Sequence, residues 1–135
     1  MKKLLLLVVT FVLIGSIIAY FMYNKPHKDM GSASADFKMA ATELFEQFDA
    51  DETAANAKYL DKVIEVEGSV LSVSEEEESI TITLEAGGML GGVICQLDPL
   101  TKHEKTSFAE GEKLKIKGIC TGMLMDVVLV RCVIL

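Results

Sequence analysis

The sequence predicts a mainly-β fold: a five-stranded Greek-key barrel with a helix between its third and fourth strands, carried behind a short helical arm and an N-terminal transmembrane helix. Three observations predict it. Of the 135 residues, segment 4–23 holds 17 apolar residues in 20 and no charge, whereas residues 24–135 hold 50 in 112, an ordinary soluble value. Between residues 37 and 60 apolar side chains recur with a helical period. Beyond Tyr59 the period becomes two, in five separate runs.

Residues 1–3 are the N-terminal flank of the span. At about 1.5 Å per residue, the twenty residues 4–23 cover a hydrocarbon core of about 30 Å as a helix. A cleaved signal peptide is the competing reading, but its apolar region runs to only about 7–15 residues, with a small-residue site close behind. The one such site, Ala33-Ser34-Ala35, lies twelve positions beyond Tyr23 and past Pro26, so an uncleaved anchor is favoured. Lys2 and Lys3 before the span balance Lys25 and Lys28 after it, and the free amine tips the N-terminus inward. Tyr20, Phe21 and Tyr23 supply an aromatic cuff at the far interface. The expected topology is a single pass through the cytoplasmic (inner) membrane, with residues 1–3 cytoplasmic and the C-terminal domain extracytoplasmic.

Residues 24–36, with Pro26, Gly31, Ser32 and Ser34 and no apolar period, read as a tether. Residues 37–60 read as a helical arm. Ala41, Leu44, Phe45 and Phe48 share one helix face, and Asp49 or Asp51 is placed to cap a second short helix through Ala54, Ala55 and Ala57. Residues 61–135 read as the barrel. Ile64, Val66, Gly68 and Val70 alternate with polar residues, as do Ile80, Ile82 and Leu84; then Val93, Cys95 and Leu97; then Leu114 and Ile116; residues 127–135 form a nearly unbroken β-branched run. Pro99 opens a stretch to Phe108 that suits a short helix ended by Gly111. Gly68 interrupts the long first strand, as expected where a strand bends to pair at both ends of a small barrel. Strand, strand, strand, helix, strand, strand is the order of an OB-fold, whose closure also removes exposed strand edges.

Asn24-Lys25-Pro26-His27 behind the span, Asn56-Ala-Lys-Tyr59-Leu-Asp-Lys-Val63-Ile-Glu-Val66-Glu-Gly68, and Lys117-Gly118-Ile-Cys120-Thr-Gly122 leading to Asp126-Val127-Val-Leu129 and Cys132 resemble a bacterial family of small membrane-anchored proteins. The domain of that family is classed as a tRNA-anticodon-binding-like OB-fold. The resemblance covers nearly the whole chain and implies the fold; it implies no assigned reaction. Anchor, short helix and barrel also resemble the haem chaperone of cytochrome c maturation, which attaches haem through a His just after its last strand. No His lies beyond His103 here, so that function is not implied.

Charge and aromatics disfavour nucleic acid. Residues 24–135 carry 11 Lys/Arg against 20 Asp/Glu, a net of −9 that repels phosphates. Of nine aromatics, only Phe108 falls in the barrel region, so no strand offers a ring for base stacking. Lys113, Lys115 and Lys117 read as a solvated strand face. Cys95, Cys120 and Cys132 lie on three strands with no C-x-x-C pair, and His27 and His103 lie apart from them, so no metal site is expected. The cysteines read as buried thiols; a Cys95–Cys132 disulfide is the alternative in an exported domain. Glu75–Glu78 reads as a solvated turn, Asp49-Ala50-Asp51 fails the calcium-loop pattern, and Gly87 to Gly92 lacks the Lys-Ser/Thr of a phosphate loop. Met89 and Leu90 in that loop, with Met123, Leu124 and Met125 in the last hairpin, are candidates for an adaptable interaction surface. No nucleophile and base come together, and no cofactor motif occurs. The expected function is therefore a membrane-anchored, non-catalytic binding module with a protein or peptide partner. The alternative is an OB-fold binder of oligosaccharide or single-stranded nucleic acid.

Overall fold

The computed structural model describes residues 1–24, 29–87 and 91–135. Helix α1 (Lys2–Tyr23) is long and apolar enough to cross a membrane and buries none of its residues on the rest of the chain. Strand β1 (Phe37–Ala40) leads directly into α2 (Ala41–Ala50), and α3 (Glu52–Tyr59) follows. Strands β2 (Val63–Glu76), β3 (Ser79–Glu85), β4 (Gly92–Leu97), β5 (Lys113–Met123) and β6 (Val127–Ile134) make the barrel.

The strands join in the order β1-β2-β3-β4-β6-β5, and β5 closes back on β2. Closure works because β2 changes partner along its length. Val63 to Ser69 pair with β5, whereas Val70 to Glu76 pair with β3, with a register slip between Val70 and Ser72. Gly68 sits at the changeover. A Cβ there would lie 3.0 Å from the Ala41 Cβ and 3.3 Å from the Leu84 Cβ, so its absence lets the start of α2 approach the bend. Inside, Ile64, Val66, Ile82, Leu84, Cys95 and Leu129 are fully buried, and Leu44 and Phe48 from α2 pack on the same core. Period-two alternation on five strands thus becomes one apolar interior.

Two expectations require correction. The helix expected at 99–108 is absent: after Leu97 the chain runs in turns to Glu112. Asp98 turns it, its carboxylate accepting from the Leu100 N–H at 3.0 Å and its carbonyl from the Thr101 N–H at 3.2 Å. Lys102 to Lys105 are polar all round, so a helix there would have no apolar stripe to bury, and the aspartate turn prevails. Helices α2 and α3 flank the barrel from the N-terminal side instead. Second, residues 37–40 form a strand rather than the start of the helical arm. β1 lies parallel to β2, pairing Phe37 with Ile64 through Ala40 with Glu67, along the edge of β2 that β3 leaves vacant.

Residues 29–36 lie on the barrel's outer surface. Met30 is fully buried against Val63 and Val133. Lys117 Nζ donates to the Ala33 carbonyl at 2.7 Å and to the Gly31 carbonyl at 3.2 Å. Asp36 closes the strap: its carboxylate accepts from the Val63 N–H at 2.9 Å and its N–H donates to the Val63 carbonyl at 2.7 Å. Lys117 is 6% exposed, so it is not part of a solvated stripe with Lys113 and Lys115. The strap that covers it comes from more than 80 positions earlier in the chain.

Candidate functional site

OB barrels bind ligands across their second and third strands, between the loop joining strands one and two and the loop joining strands four and five. Here those strands are β3 and β4. Ile82 and Leu84 point inward, so Thr81 and Thr83 point outward; across the ladder Thr81 faces Gln96 and Thr83 faces Ile94. β2 adds Ser74 opposite Thr81 and Ser72 opposite Thr83, and β6 adds Val128 beside Ile94. These seven side chains are hydroxyls, one amide and two aliphatic β-branched groups, with no ring and no charge among them. Glu85 continues the row of Thr81 and Thr83 on β3, Glu76 continues that of Ser72 and Ser74 on β2, and Arg131 lies on β6 at the bulge opposite Gln96.

Two loops flank that face with opposite character. At one end Glu75 to Glu78 form an exposed acidic tip. At the other, the β5–β6 turn leaves Leu124 93% and Met125 77% exposed, while Met123 packs partly on the core. The turn is tied to β4 through Asp126, whose Oδ1 accepts from the Gly92 N–H at 2.6 Å. A Cβ at Gly92 would stand 2.7 Å from the Leu84 carbonyl oxygen, and one at Gly91 would overlap the Phe45 ring. These two glycines therefore serve close packing. Met89 and Leu90 lie outside the described residues, so only the Met123–Met125 part of the expected apolar surface is placed.

A cleft of about 720 Å³ lies away from the β3–β4 face. It crosses the outer side of β1, β2 and β5, between Lys38, Glu65, Glu67, Glu85, Lys113 and Lys115. Its charges largely answer one another: Lys38 pairs with Glu65 at 3.2 Å and Lys115 with Glu67 at 3.6 Å. Such an alternating lining makes no cationic track, and its size alone does not make it the ligand site.

The remaining candidates resolve into structural roles. Cys95, Cys120 and Cys132 are free and buried. Cys95 and Cys132 lie on the adjacent parallel strands β4 and β6. Burial pushes the Cys132 thiol well above its ordinary range, and the neighbouring Cys95 thiol adds to the shift; burial also raises Cys120. Asp51 caps α3 by accepting from the Ala54 N–H at 3.0 Å. Phe37 on β1 and Phe48 on α2 pack on the Tyr59 ring of α3, Phe37 edge-on with its centroid 5.0 Å away, and Tyr59 Oη donates to Gln47. Among the described residues no group of three or more His, Cys, Asp or Glu is placed to hold a metal ion. The strap residues Met30 and Asp36, and Asp98 and Asp126, carry no local pattern that would single them out. Thr81, Thr83 and Gln96 were visible as the polar half of the strand alternation.

Comparison with known proteins places these features. The tRNA_anti-like family pattern matches residues 1–134, α1 included. No sequence among the curated proteins matches significantly. A solved structure from Klebsiella pneumoniae subsp. pneumoniae MGH 78578, provisionally described as a nucleic acid-binding lipoprotein, is similar in fold with a TM-score of 0.58 at 12% identity, over 82% of this chain and 99% of that one. The S. pombe Stn1-ten1 complex is more distant, with a TM-score of 0.36 at 15% identity over 54% of this chain and 57% of that one. The family name and the Klebsiella description both concern nucleic-acid recognition, which overturns the expectation that nucleic acid is disfavoured as a partner. The physical reason is one of scale: net charge and aromatic count describe the whole domain, whereas an OB barrel recognises its ligand on one face, where Thr81, Thr83 and Gln96 stand outward here. Matched from its first helix to the end of its last strand, the chain belongs to the tRNA_anti-like family and is a non-catalytic OB-fold binding module.

Proposed function

We propose that the domain holds single-stranded nucleic acid across β3 and β4, reading base and sugar edges by hydrogen bonding from Thr81, Thr83, Gln96, Ser72 and Ser74. The observation that carries the reading is this uncharged, outward row at the position where OB barrels take their ligands. The family and the Klebsiella relative support the ligand class. With no cation among these five side chains, their contacts go to base and sugar edges rather than to phosphates, so the salt dependence they confer is slight. An oligosaccharide is the second reading, favoured by the same absence of cations, since hydroxyl and amide side chains match sugar hydroxyls equally well.

The module is carried on α1 as a single-pass anchor, with residues 1–3 cytoplasmic and the barrel outside. The uncharged run 4–23 within α1 and the extension of the family match over it support this topology. A reporter fused after Leu135 and active only in the cytoplasm would reverse it.

The binding test is a titration of the full chain in detergent micelles against short fluorescent single strands and, in parallel, labelled glycans. Saturable binding to the single strands is expected. The Thr81→Val/Gln96→Ala double variant should weaken it about tenfold, as two lost hydrogen bonds of about 0.7 kcal/mol each would. Binding to glycans alone would establish the second reading. Oligonucleotide binding that the double variant leaves unchanged would move the site elsewhere.

A further inference from the structure

We propose that one corner of the barrel, formed by residues 99–105 and Leu135, rests on the surface of the bilayer, with Leu100 inserted at the interface. The inference rests on the reading of α1 as a membrane anchor and adds to it an orientation and a contact surface.

The strap carries the argument. Tyr23 ends α1, and Met30 is already buried on the barrel. Seven residue steps at about 3.5 Å each reach at most about 25 Å, so the site where the strap enters the barrel lies within that distance of the helix end. The strap enters at a defined place: Gly31 lines one small cleft together with Thr101 to Lys105 and Val133 to Leu135. Hydrogen bonds from Lys117 to Gly31 and Ala33, and between Asp36 and Val63, hold the strap on the barrel from Gly31 onward, so the free run from the helix end is no longer than those seven steps. The corner nearest the anchor is therefore fixed by the fold.

That corner has the chemistry of an interfacial contact. Leu100 is 69% and Leu135 55% exposed, each a large apolar side chain turned to the outside. The charges beside them do not favour an acidic surface. Lys105 is engaged by Glu112, and Glu75 to Glu78 line a second small cleft with Thr101 and His103 at the same end. An anionic bilayer would be repelled by the four glutamates, so the partner is a zwitterionic lipid surface met through apolar insertion.

The sequence contains no Trp, so single substitutions give unambiguous reporters. The full chain is reconstituted in phosphatidylcholine nanodiscs with or without bromine on the acyl chains, as Phe11→Trp, Leu100→Trp and Leu124→Trp variants. Leu124 lies at the opposite end of β6 and is 93% exposed, which makes it the control. Phe11→Trp and Leu100→Trp are expected to lose about half their emission to bromine or more, because an interfacial side chain reaches about 5–10 Å into the boundary, while Leu124→Trp is unaffected. Quenching of Phe11→Trp without Leu100→Trp would overturn the contact and leave the anchor standing. An unquenched Phe11→Trp would overturn the anchor and the contact with it. Equal quenching at positions 100 and 124 would overturn the assigned orientation.

Discussion

Lys117 Nζ and the carbonyl oxygen of Ala33 lie 2.7 Å apart, 84 positions distant in sequence, and this bond joins the 29–36 strap to β5. Lys117→Met keeps the packing of the stem and removes both donors. A loss of about 1 kcal/mol in urea unfolding is expected, with faster limited proteolysis within residues 29–36. Unchanged proteolysis would mean that Met30 and Asp36 hold the strap without it.

Gly118 lies against Cys132 so closely that a Cβ would come 2.4 Å from the sulfur and 3.1 Å from the Val130 carbonyl oxygen. Gly118→Ala should cost about 1–3 kcal/mol by overpacking. Combined with Cys132→Ala it should cost less than the two separate losses together, because the smaller side chain makes room. Additive losses would place the strain on the Val130 carbonyl instead.

The three buried thiols should be counted in full by a denaturing, non-reducing assay and should resist alkylation at neutral pH in the folded chain. Burial, with the Cys95 contact second, raises Cys132, and burial raises Cys120, so little reactive thiolate forms. One thiol counted rather than three would establish a Cys95–Cys132 disulfide across β4 and β6.

Glu112 shapes the acid response of the 98–112 loop. The Lys105 hydrogen bond first, and the Ala109 N–H second, hold its carboxyl below the usual carboxylate range. A value lower in the folded than in the unfolded chain means that the ionised form favours folding. Its contribution is present above the ordinary glutamate range and disappears as the pH falls through the folded value. Lys105→Ala should raise the Glu112 midpoint in a carboxyl NMR titration; an unmoved midpoint would assign the shift to Ala109.

Asp126 connects the exposed Leu124–Met125 turn to the first residue of β4. Asp126→Ala leaves the Gly92 N–H without its 2.6 Å partner and should cost about 1–2 kcal/mol. The same variant should loosen the β3–β4 face, measured as faster amide exchange at Ile94 than in the parent chain.

What sequence revealed and what it concealed divide along contact range. Ile82 and Leu84 alternating with Thr81 and Thr83 disclose both the core and the outward polar face, because a strand sorts its own neighbours by parity. The α2 stripe of Ala41, Leu44 and Phe48 is equally local. β1 was hidden because four residues are too few to establish a period, and the run begins a helix with no break. The 99–108 segment misled because Pro99 is a helix starter, while the preference of Asp98 for a turn depends on two nearby N–H groups. Lys117 looked like its neighbours Lys113 and Lys115, since nothing within ten residues shows that a strap will cover it.

Met30 is seated against Val63 and, more than a hundred positions later, Val133, so the order of synthesis runs opposite to the order of locking. A chain emerging from its N-terminus exposes the strap before the barrel and supplies the strap's last contact only with β6. Any product cut short before β6 would carry the strap without its seat, and a protease acting on residues 29–36 would release unfinished barrels while sparing completed ones.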